Sequence, residues 1–132
     1  MISSLHIYQA SGSDPFENLA REQVLLEHGP ADGVILYLWQ NDNTVVIGRN
    51  QNVRKECRLN EIKRDGVHLV RRSSGGGAVY HDKGNICYTV IAPYDSEQDN
   101  YKKFTEPVIK YLNSLGVNAT FSGRNDITID GK

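Results

Sequence analysis

Apolar positions along this 132-residue chain come in short runs divided by polar turns, and two stretches carry a longer period. Residues 5–8 read as a short first strand. Ser13-Asp14-Pro15-Phe16-Glu17 then marks a helix start. Asp14 can cap, Pro15 suits the first helical position, and Glu17 stands where a capping box closes. Phe16, Leu19, Ala20 and Val24 supply an apolar face, and Gly29-Pro30 ends the helix. Residues 34–39 are uniformly apolar and predict a buried strand, with Trp39 in the core. Asn41-Asp42-Asn43 turns the chain and residues 44–48 return it, which predicts a hairpin. Residues 55–64 are charged and predict one short surface helix with Cys57, Leu59 and Ile62 inward. Residues 67–71 lead into the glycines and residues 78–81 lead out of them, and residues 85–91 read as another strand, holding Cys87 as a small core residue.

A polar linker covers residues 95–100. Tyr101, Phe104, Val108, Tyr111, Leu112 and Leu115 then recur at helical spacing, predicting a second amphipathic helix packed on a sheet and stopped by Gly116. Residues 117–121 and 127–129 are strand-like, and Asp130-Gly131 is a strong hairpin signal. The chain ends one residue later. A turn without a returning strand leaves an unpaired edge, so a fragment of a longer protein is expected.

Composition narrows the function. Apolar and charged fractions of 39% and 23% are ordinary for a globular chain of one domain at most. A formal net charge of −1 gives no electrostatic case for nucleic acid or an anionic membrane, so any anion site must be local. No run is long and apolar enough to span a bilayer, and the N-terminus lacks a signal-peptide pattern. Cys57 and Cys87 form no CxxC and read as reduced thiols of a cytoplasmic protein.

The chemistry gathers in Arg71-Arg72-Ser73-Ser74-Gly75-Gly76-Gly77. Three successive glycines carry an entropic cost and add nothing to a core. They are tolerable where the main chain bends sharply or lies against a ligand, with bare N–H groups forming a nest for an anion. Two adjacent guanidiniums suit a carboxylate or phosphate. A solvated glycine bend accounts for the run equally well when it is taken alone. No Gly-Lys-Ser/Thr follows, so it is not a P-loop, and strand residues follow where a Rossmann helix would begin. Gly48-Arg49-Asn50-Gln51-Asn52 is a polar cluster at a strand end, a frequent place for function. His81 and Asp82 fit an acid–base pair or metal ligands, but with no further ligand at metal spacing a structural or substrate-facing histidine is the stronger expectation.

Together these motifs resemble the lipoate–protein ligase family, through Asp14-Pro15-Phe16-Glu17-Asn18-Leu19-Ala20, residues 44–52, residues 71–85 and Ser122-Gly123-Arg124-Asn125-Asp126. The resemblance implies an α+β fold of mixed, mostly antiparallel sheets flanked by helices, the catalytic domain shared with biotin ligases. Residues 1–132 would be its N-terminal part, with the rest and any C-terminal accessory domain absent. It implies activation of lipoate by ATP and Mg²⁺ to lipoyl-adenylate, then transfer to a lysine of a lipoyl domain of 2-oxoacid dehydrogenases or the glycine-cleavage H protein. Such chemistry brings two anions together, so positive charge and N–H donors are required. Arg72 is the expected phosphate clamp, supported by Arg71. Arg72, Gly77, Ala78, Val79, Tyr80, Asn125 and Asp126 would hold ATP or the adenylate, with Asp126 on Mg²⁺. Arg72, Ser74, Gly75, Gly76, Gly77 and His81 would hold lipoate, and Val46, Val79 and Tyr37 would line a tunnel for its tail. Lys132 is the family's hallmark lysine or its neighbour. The expected fragment would bind lipoate or its adenylate weakly and hardly turn over unless the remainder of its chain joined it. Two rival readings are an ATP-independent octanoyl or lipoyl transferase working through a cysteine thioester, and a non-catalytic lipoate carrier.

Overall fold

The computed structural model describes residues 4–93, 100–123 and 126–132, which divide into two units, residues 1–93 and 94–132. In the first unit, β1 (Ser4–Gln9), α1 (Pro15–His28) and β2 (Gly33–Trp39) form a parallel crossover. The next three elements after β3 (Thr44–Ile47) repeat that plan: α2 (Val53–Glu56), α3 (Leu59–Arg64) and β4 (His68–Arg71), with β4 parallel to β3. Each parallel pair gains one antiparallel partner. β5 (Val79–His81) joins β3, and β6 (Cys87–Ile91) joins β2. The strand orders are β1-β2-β6 and β4-β3-β5, and α1 touches β2, β4 and β6. The core is Ile35, Tyr37 and Trp39 from one sheet with Val46, Ile47 and Val70 from the other.

Helix α1 starts as its sequence dictates. Asp14 Oδ1 accepts from the main-chain N–H of Phe16 and Glu17 at 2.8 and 3.1 Å. Glu17 pairs outward with Arg21 at 2.7 Å rather than reaching back to the cap. The expected apolar face is not the buried one. Phe16 and Val24 are exposed, whereas Pro15 and Asn18 are buried. Asn18 takes the interior position because its amide donates to the Gln40 carbonyl at 3.0 Å and to Asn41 Oδ1 at 3.1 Å.

That contact also explains why the predicted hairpin does not form. Strands β2 and β3 lie in different sheets. Asn41, expected in a solvated turn, is fully buried and bonded to α1 through Asn18. Thr44 Oγ1 donates to the Asp42 carbonyl at 2.7 Å, and Asn43 adopts φ +42°. The bend is therefore tied to its surroundings and sends the chain across to the second sheet. The single helix expected over residues 55–64 is two. Asn52 caps α2 through the Arg54 N–H, and extended backbone at Cys57 interrupts the run.

In the second unit, α4 (Asn100–Ser114) packs on β7 (Ala119–Ser122), which pairs antiparallel with β8 (Asp126–Ile129). Phe104, Thr105, Val108, Ile109 and Leu112 face inward, while Tyr101, Tyr111 and Leu115 are exposed. Gly116, at φ +84°, ends the helix, with the Val117 N–H reaching back to the Leu112 carbonyl. Asp130 and Gly131 both adopt positive φ, and Ile129 and Lys132 exchange main-chain bonds at 2.9 and 3.0 Å. The Asp-Gly signal thus makes the primed turn it predicted. Three of the five strand pairs among the described residues are antiparallel. No helix of the described residues is long and apolar enough to cross a membrane.

Candidate functional site

Strand β4 delivers Arg71 and Arg72 to the start of the glycine bend. Arg72 folds back onto that bend. Its Nε and Nη2 donate to the Gly75 carbonyl at 3.0 and 2.8 Å, Nη2 also to the Gly77 carbonyl at 2.8 Å, and Nη1 to Val46 at 3.4 Å. The bend's carbonyls are therefore turned toward the guanidinium. Gly75 to Gly77 themselves are exposed, and their N–H groups have no protein acceptor among the described residues. Carbonyls held inward by a cation and N–H groups left outward are the electrostatic arrangement of an anion nest.

Arg71 does the same for the neighbouring loop. Its Nη1 donates to the carbonyls of Gly48, Arg49 and Gln51 at 2.8, 3.1 and 2.8 Å. The two loops are then joined directly, since the Arg49 N–H donates to the Ser74 carbonyl at 2.9 Å. A Cβ at Gly48 would lie 2.1 Å from the Gly76 carbonyl oxygen, so only glycine allows this approach. The polar cluster at the end of β3 is thus half of the site. Its sequence signal was an isolated glycine closing an apolar strand.

The guanidiniums do not face a featureless surface. Arg49, Arg71 and Arg72 line a groove of about 710 Å³ together with the apolar residues Phe16, Leu19, Ala20, Leu69 and Val70. Phe16 and Ala20, exposed on α1, line this groove, whereas Val24 does not. On the other side of β3, Ala78, Val79 and Tyr80 line a second groove of about 360 Å³ with Val45, Ile62 and Val67, rimmed by Glu56, Glu61 and Asp65. The expected tunnel of Tyr37, Val46 and Val79 is not formed. Tyr37 and Val46 are fully buried core residues of different sheets, whereas Val79, the cross-strand partner of Val46, is exposed and lines the second groove.

His81 ends β5 half-buried. Asn41 Nδ2 stands 3.3 Å from its Nδ1, Cys87 Sγ stands 3.7 Å from the same nitrogen, and Trp39 meets the ring edge-on at 5.9 Å. The Asp82 carboxylate accepts from the Gly84 N–H instead of meeting the imidazole, so no acid–base pair is made. Burial first and the Arg72 charge second hold His81 below the ordinary imidazole value of 6.5. The folded chain therefore favours neutral His81. Below about pH 6.5 the unfolded chain binds the proton first, so stability falls with pH until the lower folded value is passed. Denaturant midpoints measured between pH 7.5 and pH 5 should fall with acidification, and less so in His81→Gln.

Burial, reinforced by Glu22, pushes the Cys87 thiol up to about 11. Both cysteines are free thiols. Asp126 and Lys132 belong to the other unit. Asp126 opens β8 as an exposed carboxylate, and Lys132 closes the Asp130-Gly131 turn, also exposed. Asn125 lies outside the described residues. Among the described residues no cluster of His, Cys, Asp and Glu could hold a metal ion.

Residues 14–132 match the lipoyl protein ligase A/B catalytic domain. A protein of Mycoplasma pneumoniae named probable lipoate-protein ligase A is 50% identical over 122 residues, which cover 89% of this chain and 36% of that protein. The chain thus spans little more than a third of that relative. P. falciparum LipL1, solved in complex with lipoate, superposes with a TM-score of 0.80 at 33% identity, over 96% of this chain and 41% of that one. A lipoate-protein ligase A bound with ATP gives 0.80 at 29% identity, over 96% and 52%. A Thermoplasma acidophilum bipartite ligase, studied with its E2 lipoyl domain, gives 0.82 at 30% identity, over 98% and 52%. The chain therefore belongs to the lipoyl protein ligase A/B catalytic domain family.

Proposed function

We propose that this chain activates lipoate with ATP and passes the lipoyl group to a lysine of an acceptor protein. Residues 1–132 would form the N-terminal part of the catalytic domain. The observation that carries the reading is a single groove lined by both arginines and apolar side chains. A fatty-acid-like carboxylate needs both. The outward N–H groups of Gly75 to Gly77, supported by Arg72, suit the phosphates. The second groove, walled by Ala78, Val79 and Tyr80, suits a flat base. The lipoate carboxylate oxygen attacks the α-phosphorus, the bond to the β-phosphate oxygen breaks, and pyrophosphate leaves. The acceptor lysine's amine then attacks the acyl carbon, loses a proton, and AMP departs.

In this reading Ser74, the glycines and neutral His81 receive the acid, and the family resemblance assigns Lys132 or its neighbour to the carboxyl group and Asn125 and Asp126 to the adenylate. Asp126 would offer Mg²⁺ one hard oxygen donor, and the ion would supply charge neutralisation for the phosphates. Lipoyl domains of 2-oxoacid dehydrogenases and the glycine-cleavage H protein are the proposed acceptors. The Thermoplasma system with its E2 lipoyl domain supports that choice. A cytoplasmic setting accords with the two free thiols.

A transferase would need a thiolate, and Cys87 resists ionisation. Pyrophosphate release requiring both ATP and lipoate, slow from residues 1–132 alone and preserved in Cys87→Ser, is the expected result. Acyl transfer without ATP, abolished by that substitution, would establish the thioester route instead.

A further inference from the structure

Four side chains join the core to the site in a chain of fixed direction. Tyr37 Oη donates to Asn18 Oδ1 at 3.3 Å. Asn18 Nδ2 faces the carbonyls of Gln40 and Gly12 at 3.0 and 3.4 Å. Carbonyls cannot donate, so this amide cannot be reversed without setting oxygen against oxygen. The same Nδ2 lies 3.1 Å from Asn41 Oδ1, which fixes the second amide in turn. Asn41 Nδ2 is then left facing His81 Nδ1 at 3.3 Å. An amide nitrogen only donates, so Nδ1 must offer its lone pair. Asn18, Asn41 and Tyr37 are all at least 98% buried, so water does not supply an alternative partner at those links. Cys87 Sγ stands 3.7 and 3.9 Å from the two ring nitrogens and does not select between them.

We propose that Asn41 is a positioning residue that keeps the His81 proton on Nε2. His81 is then a neutral donor at Nε2 and not a base there. This deepens the lipoate-ligase reading and rests on it for the identity of the acceptor atom, a carboxylate or acyl oxygen of the acid. Neither asparagine is a reacting group. Asn18 lies on α1 and Asn41 in the bend between sheets, so the relay also makes the tautomer depend on the docking of that helix. Ion pairs play no part in it, since every link is a neutral amide, phenol or imidazole.

The test is the ¹⁵N spectrum of the imidazoles in the whole 132-residue chain, assigned with His81→Gln and recorded without ligand. The expected result is an unprotonated Nδ1 and a protonated Nε2. A protonated Nδ1 in the unsubstituted chain overturns the proposal, and that measurement needs no variant to fold. Asn41→Asp replaces the donor with an acceptor and should move the proton to Nδ1. A folded Asn41→Asp chain that keeps it on Nε2 also overturns the proposal. Lipoate is then added. An Nε2 shift that ignores lipoate overturns the acid-binding reading while the assigned tautomer stands, so the two failures are distinct.

Discussion

Gly48→Ala should cripple the site more than any substitution within the glycine run itself. The added Cβ would stand 2.1 Å from the Gly76 carbonyl oxygen and 3.4 Å from Arg72 Nη2. Both neighbours are held: the bend by Arg72, and the Gly48 carbonyl by Arg71. The clash therefore falls on main chain and cannot be relieved by rotating a side chain. Overpacking of this kind costs about 1–3 kcal/mol. The bend must also move by a sizeable fraction of an ångström, and misplacement of about 1 Å can cost roughly a hundredfold in rate. Lipoate-dependent pyrophosphate release and thermal unfolding measure the two effects. Gly75→Ala and Gly77→Ala are the controls. A Cβ at either meets nothing within 4 Å, so both should unfold as the parent does. Any activity they lose then reports the approach of a ligand to bare backbone. Gly76→Ala should lie between, since Gly76 holds φ +101° and its Cβ would stand 2.6 Å from Arg72 Nη2, a side-chain end rather than main chain.

Arg72→Lys should fail almost as completely as Arg72→Ala. One guanidinium reaches Gly75, Gly77 and Val46 at once through three nitrogens. An ammonium supplies the charge from a single point and cannot span those carbonyls. The charge is conserved in Arg72→Lys, so that variant separates the two contributions. If the fork shapes the bend, lipoate and ATP affinities both drop by at least about 2 kcal/mol, roughly thirtyfold. If only charge matters, Arg72→Lys binds like the parent, and the bend does not depend on Arg72. Calorimetric titrations of each ligand decide between the two outcomes.

These two residues also show what could be read from the chain alone. The glycine run and its arginines were legible as a candidate anion site because such a run carries an entropic cost and adds nothing to a core. The sequence could not show that both arginines first shape main chain, since the carbonyls they hold come from β3, the loop after it and the bend. The helix start at Asp14 and the turn at Asp130-Gly131 were legible because both are local. The sheet assignment of β3 was not. It hangs on buried Asn41 meeting Asn18, a contact 23 residues apart in sequence. The apolar residues of α1 misled for a related reason. Periodicity marks a face that avoids water, and a ligand groove does so as well as a core.

The central arrangement is a bend whose carbonyls are drawn in by Arg72 while its N–H groups find no acceptor among the described residues. An amide NMR titration of the whole chain with lipoate, then with ATP, examines it most directly. Lipoate is expected to shift Gly75, Gly76, Gly77 and the Arg72 Nε–H together with Leu19 and Leu69, and ATP to add shifts at Ala78 to Tyr80. Saturating ligands that leave the amides of Gly75 to Gly77 unmoved would contradict it.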